Sequence, residues 1–380
     1  MSRSWAITTD WEYLSAGAPE ERACFAALGM VAHGQSLTEG RDALANRLRN
    51  APYLSAYPLA EWFAWNWWRL RWEPRGCGQQ WAFAHRLASI GGGYIWPDIT
   101  FYSDGERAAL AAKGTPERAE TPFRYIGNVS AVMPAADLEA GIEEFIWQVL
   151  ERLDSEKVPD TNLAHIWHDV QRERSEPALA MRRKFEAMLG LDPDEADTAM
   201  LDQMLADARL IGAGAEQELA AGAGYGSKPA QPPSAAALHD MAKSFGFDGL
   251  PCDVVRLDKP TVQSSRAQTS AWQLGADVAH ALRVQEALGF APITDAVLAV
   301  MAGTSANALK PSQTHKLDFA FALKNQPHAS RMVLRSHWRT GRRFEMARIL
   351  GDMLLADAGN SLRWPIPINR SCNGLLRPSC

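Results

Sequence analysis

Nine of the fourteen tryptophans lie between Trp5 and Trp96. An indole is a large apolar surface with one N–H donor, so this many in so short a stretch sets residues 1–134 apart as a Trp-rich α+β unit. Within it, YPLAEWFAWNWWRLRWEP puts Trp62, Trp65, Trp68 and Trp72 at steps of three or four. That spacing predicts one helix with four indoles along one side, ended by Pro74. Large apolar residues at helical spacing are first a burial signal. The same stripe, flanked by Arg69, Arg71 and Arg75, can instead stack bases and contact phosphates. Trp62, Trp65, Trp68, Arg69 and Trp72 are therefore the candidate binding surface.

Downstream, Gly91 to Gly93 and the SDG turn bracket a β-favouring run through Tyr102, which predicts a small sheet continuing through PFRYIGNVSAVMP. The triple glycine leads into a strand and lacks the Gly-Lys-Ser/Thr of a P-loop, so it reads as a turn. Residues 135–219 carry helical periodicity, and LDPDEADTAML predicts a helix with Asp192 as its N-cap and Glu195 three residues on. HIWHD sets His165, His168 and Asp169 on one helical face, yet nothing nearby completes a metal ligand set. The run AAGAGYGSKPAQPPSAAA has no periodicity and reads as a flexible linker over residues 220–237.

Bulk properties narrow the function classes. A length of 380 residues suggests two or three domains, and 47% hydrophobic with 22% charged residues is a globular balance. The net charge of -5 argues against a dominating non-specific grip on nucleic acid. No apolar run is long enough to cross a membrane, and MSRSWAITTDWEYL lacks a secretory core, so the expected location is cytoplasmic. Cys24, Cys77, Cys252, Cys372 and Cys380 form no CxxC pair and read as reduced thiols. GxSxG is absent, and no serine or cysteine sits in a recognisable nucleophile motif.

After the linker, residues 238–361 read as helices closed by glycines, a strand pair in KLDFAFAL and ASRMVLRS, and a long helix, GRRFEMARILGDMLL. The order of apolar strand, RRF, xxA and xxLGxxLL resembles the ImmA/IrrE-type metallopeptidases, whose zinc helix commonly reads RRFxxAHELGHxLLH. Arg342, Arg343, Phe344, Ala347, Leu350, Gly351, Leu354 and Leu355 keep that frame. The motif works because histidines at i and i+4 share one side of a helix and hold one zinc, while the glutamate after the first acts as general base. Here Arg348, Ile349 and Asp352 occupy the first histidine, glutamate and second histidine positions. A guanidinium offers a metal no lone pair and isoleucine takes no proton, so the zinc of the resembled family is expected to be lost and no catalytic residue is assigned. Arg348 and Asp352, one turn apart, are expected to form an ion pair in its place. The architecture expected overall is α+β and predominantly helical, ending in a degenerate zincin-like part.

The family's pattern continues into another helix, whereas residues 362–380 hold three prolines and no apolar period. Read one nucleotide earlier, codons for this tail are compatible with a helical continuation, which suggests a frame shift near Leu362 to Pro367. By resemblance, the chain is a non-catalytic regulatory protein whose partner is a protein, such as a helix-turn-helix regulator. The alternatives are a nucleic-acid-associated protein using the Trp/Arg helix, and a hydrolase with an unrecognised site, for which His337 and Asp352 are the nearest to metal ligands.

Overall fold

Strand β1 (Trp5–Trp11) turns Trp5 and Ile7 inward and Thr8 and Asp10 to solvent, the period-two pattern of a strand with one covered face. A computed structural model describes residues 4–76, 78–103, 105–212, 214–215, 218–219, 233–249, 271–310, 320–324, 330–355 and 362–363. After a short helix α1 (Pro19–Ala23), β2 (Phe25–Ala32) pairs antiparallel with the whole of β1, Trp5 opposite Ala32 and Trp11 opposite Ala26. Four short strands follow: β3 (Gln35–Ser36), β4 (Gly40–Asp42), β5 (Arg47–Arg49) and β6 (Tyr53–Ser55). Both β3 and β6 take the far edge of β2, which leaves β1 at the rim of its sheet.

Helices α2 (Ala56–Trp65), α3 (Trp67–Trp72) and α4 (Gln79–His85) precede β7 (Asp98–Ser103), β8 (Arg107–Lys113), β9 (Phe123–Tyr125) and β10 (Val129–Pro134). β7, β8 and β10 form an antiparallel sheet with β8 central, as the turn at Gly91 to Gly93 and the β-favouring run predict. β9 departs from that expectation and pairs with β4 in a separate three-stranded sheet. Next come α5 (Ala135–Ser155), α6 (Asn162–Ser175) and α7 (Pro177–Met188).

The boundary expected at residue 134 does not divide the packing. Leu138, Ile142, Phe145 and Val149 on α5 share one core with Trp5, Phe63 and Phe101 of the preceding elements. Gly141 explains how closely α5 approaches: a Cβ there would lie 2.1 Å from the Trp5 indole nitrogen, so the ring fills the space a side chain would need. Edge-to-face contacts of Trp5 with Phe101 at 5.6 Å and Phe63 with Phe145 at 6.1 Å complete the interior. This first compact unit runs from Met1 to Glu195.

The second unit runs from Ala196 to Cys380. It contains α8 (Thr198–Ile211), α9 (Ala235–Phe245), β11 (Phe247–Gly249), α10 (Ala271–Gln285), α11 (Asp295–Met301), β12 (Phe321–Lys324), β13 (Ser330–Val333), α12 (Arg339–Leu355) and β14 (Leu362–Arg363). The strands form one antiparallel sheet in the order β11-β13-β12-β14. Alternation gives it two apolar faces. Phe321, Leu323 and Val333 pack with Ala208 and Leu238, while Ala322 and Met332 pack with Leu298, Met346 and Ile349.

Three expectations are corrected here. The helix predicted to start at Asp192 starts at Thr198, because the Asp197 carboxylate accepts from the Ala199 N–H and caps it there. The expected linker ends early, since Ser234 caps α9 from Ala235; residues 220–232 lie outside those described. Leu362 and Arg363, placed in the irregular tail, pair with β12; the rest of the tail lies outside the described residues. The mixed, helix-rich α+β class stands. Among the described residues no helix is long and apolar enough to cross a membrane.

Candidate functional site

The tryptophan stripe does not lie on one helix. Asn66, at φ -93° and ψ 12°, separates α2 from α3, and its side-chain amide donates to the Trp62 carbonyl at 2.9 Å. The break turns the indoles apart. Trp65 is 55% exposed, whereas Trp62 is half-buried with Nε1 donating to the Phe83 carbonyl at 2.9 Å. Trp72 lies half-buried between the Arg71 guanidinium at 4.3 Å and the Lys184 ammonium at 4.1 Å. Trp68 and Arg69 are buried and fully engaged, so the candidate surface is corrected: neither presents a face to a base or a phosphate. Arg71 pairs with Glu139, and Arg75 stacks over Tyr102 at 5.0 Å.

What engages Trp68 and Arg69 is an ionic network, buried except for Asp192 and Asp194 at its rim, that the sequence reading did not anticipate. Arg69 Nε donates to Glu73 at 2.7 Å and Nη1 to Asp192 at 3.1 Å. Glu73 also meets His85 Nε2 at 2.9 Å, while His85 Nδ1 faces the Phe101 carbonyl at 2.8 Å. A second centre, Arg183, donates to Glu173 at 2.6 Å, to Glu186 at 2.8 Å and through both terminal nitrogens to Asp194 at 2.9 and 2.8 Å. Hydrogen bonding from Arg183 holds the Asp194 carboxyl below the usual carboxylate range. Trp68 Nε1 closes the set on Glu173 at 2.8 Å. Two buried cations thus draw the acidic loop of Asp192 and Asp194 onto α3 and α7. Every carboxylate in the set has a cation or donor beside it, so the set clamps the acidic loop to α3 and α7.

On α12 the residues at the chemical positions of the resembled motif, Arg348, Ile349 and Asp352, differ in burial. Ile349 is completely buried in the apolar cluster with Met346, Leu350 and Met332. The Arg348 guanidinium lies over the Phe344 ring at 5.7 Å, and Asp352 is half-buried. His337 is exposed ahead of the helix, while Asp352 lies thirteen residues beyond its first residue, Arg339, or ~20 Å along the axis. The pair His337 and Asp352 therefore cannot share a metal. A zinc ion does not fit Arg348, Ile349 and Asp352 either, because they offer one ligating group among them. His165 and His168 are exposed on α6, beside Asp160 at 3.1 Å and Asp169 at 3.9 Å respectively. Among the described residues no three His, Cys, Asp or Glu side chains gather as a metal site.

Two clefts open on the first unit, where β1 passes the C-terminal half of α5. One, of about 410 Å³, is lined by Thr9, Trp11, Gln148, Glu151, Arg152 and Ser155. Its neighbour, of about 310 Å³, shares Trp11 and Arg152 and adds the charged Glu12, Arg22 and Glu156 to the apolar Leu14, Pro19 and Val158. Arg152 is fixed as the wall between them: Nε donates to the Ala23 carbonyl at 3.0 Å, Nη2 pairs with Glu156 at 2.8 Å, and the guanidinium lies 5.6 Å from the Trp11 ring centre. Buried Cys24 is no nucleophile, since desolvation pushes its thiol up to about 12.

No protein family, curated protein or solved structure matches this chain. Two signals for the missed network were present, Arg69 and Glu73 four apart and Arg183 and Glu186 three apart. Their burial, and the partners brought from Asp192, Asp194 and Glu173, follow only from the packing of α3, α6 and α7.

Proposed function

We propose that the chain is a non-catalytic, protein-binding relative of the ImmA/IrrE-type peptidases in which the zinc helix survives as a packing element. The observation that carries this reading is the position of Ile349. In the resembled motif that place belongs to the glutamate that activates a metal-bound water, and here it is sealed in the core of the second unit with no exposure. Arg348 ahead of it offers a metal no lone pair. The strand-then-helix order of β13 and α12 is in keeping with the resemblance. The partner that the resemblance implies is a protein of the helix-turn-helix regulator class. The nucleic-acid alternative loses its support with Trp68 and Arg69 buried.

Metal content and cleavage of fluorescently labelled casein, with and without a chelator, test this reading on the purified chain. The expected result is substoichiometric zinc and no chelator-sensitive cleavage. One zinc per chain together with cleavage abolished by the chelator would overturn it. The relationship itself has a separate check: the shifted reading frame at the end of the gene should encode a helix-forming continuation, and an early stop there would remove that support.

A further inference from the structure

The outer edge of β1 is an open row of backbone donors and acceptors. Glu12 N–H donates to the Phe25 carbonyl at 2.9 Å, and His33 N–H donates to the Ser4 carbonyl at 2.8 Å. In the antiparallel register of β1 with β2, these bonds fix the even-numbered residues as the ones facing β2. Thr9 and Trp11 therefore direct their N–H and C=O groups away from the sheet. Among the described residues no strand pairs with that edge.

Beside this edge lie the two clefts, one on each side of the Trp11 and Arg152 wall. Side chains on one face of an extended peptide recur every ~7 Å, so a strand laid along β1 presents alternate residues to the two clefts in turn. The clefts differ in chemistry. Glu151 in the first is exposed and has no ion pair or hydrogen bond among the described residues, while the second sets the apolar Leu14, Pro19, Ala23 and Val158 inside a charged rim of Glu12, Arg22 and Glu156. The surroundings are acidic, with seven carboxylate side chains against three cationic ones over residues 9–23 and 148–158.

We infer that the β1 edge is a docking site for an extended basic peptide of a partner protein, added as a further strand. A lysine or arginine of the peptide enters the first cleft, between Glu151 and the Trp11 indole, and a large apolar side chain two residues away enters the second. Backbone pairing with Thr9 and Trp11 supplies affinity, and the two clefts supply sequence preference. The inference stands on the first unit alone and does not depend on the ancestry of α12.

A displayed library of random octapeptides, selected on the full chain, tests it. Enriched peptides should carry a basic residue two positions from a large apolar one, and their binding should weaken as salt is raised. Thr9→Pro removes a donor that faces outward and leaves the ladder to β2 intact, so it should weaken the selected peptides about tenfold. Glu151→Lys, on an exposed helix position, should do the same without touching the strand. In hydrogen exchange, peptide should slow the amides of Thr9 and Trp11, whereas Thr8 and Asp10 are already protected. Selection without this spacing pattern, or selected peptides that bind both variants as tightly as the unaltered chain, would overturn the inference.

Discussion

Cys24 shows how one buried side chain sets a stability window. Loss of hydration moves its thiol from about 9 to about 12, and the nearby Arg152 opposes the shift without cancelling it. Because the folded pKa exceeds the unfolded one, the folded state keeps a proton that the unfolded chain releases. The contribution is complete below about 9 and fades as pH rises through the window toward about 12. Cys24→Ala should therefore flatten the fall of Tm with pH across that range, measured by thermal unfolding followed by circular dichroism; an unchanged slope would contradict the assignment. At this scale the sequence was readable where chemistry is local. Ile349 was legible as a residue that cannot take a proton, while Trp68 and Arg69 were misplaced on a surface because their partners Glu173 and Asp192 lie far along the chain.

Among the elements, α5 depends most on a single missing side chain. Its amphipathic face was plain from apolar positions at helical steps, and it forms as one helix from Ala135 to Ser155. Its depth of approach was not plain, because that depends on Trp5 reaching the helix at Gly141. Gly141→Ala should destabilise the first unit by ~1–3 kcal/mol through overpacking, even though alanine is the better helix former. Urea unfolding monitored by tryptophan fluorescence measures this, and a variant as stable as the parent would mean the ring moves aside freely. The Trp62 to Trp72 stretch teaches the reverse lesson. Periodicity alone joined α2 and α3, and the side-chain amide of Asn66 bonding back to Trp62 is what accompanies their division.

Across the whole molecule, two units divide at Glu195 and Ala196. Residues 1–195 contain Asp192 and Asp194 along with their arginine partners, so this fragment carries its ionic clamp complete. Expressed alone it should give a single cooperative urea transition and a near-ultraviolet signal of packed indoles, whereas a broad, non-cooperative profile would show that the unit is not self-sufficient. The sequence by itself determined the helix-rich α+β class, the α5, α10 and α11 helices and the strand pair before α12, because each follows from residue type and local period. Only the tertiary structure decided that the tryptophan stripe breaks at Asn66 with Trp68 buried and Trp65 exposed, that the acidic loop clamps Arg69 and Arg183, and that among the described residues the edge of β1 is left open beside two clefts. Burial and pairing depend on which distant segments meet, and local spacing carries no record of that.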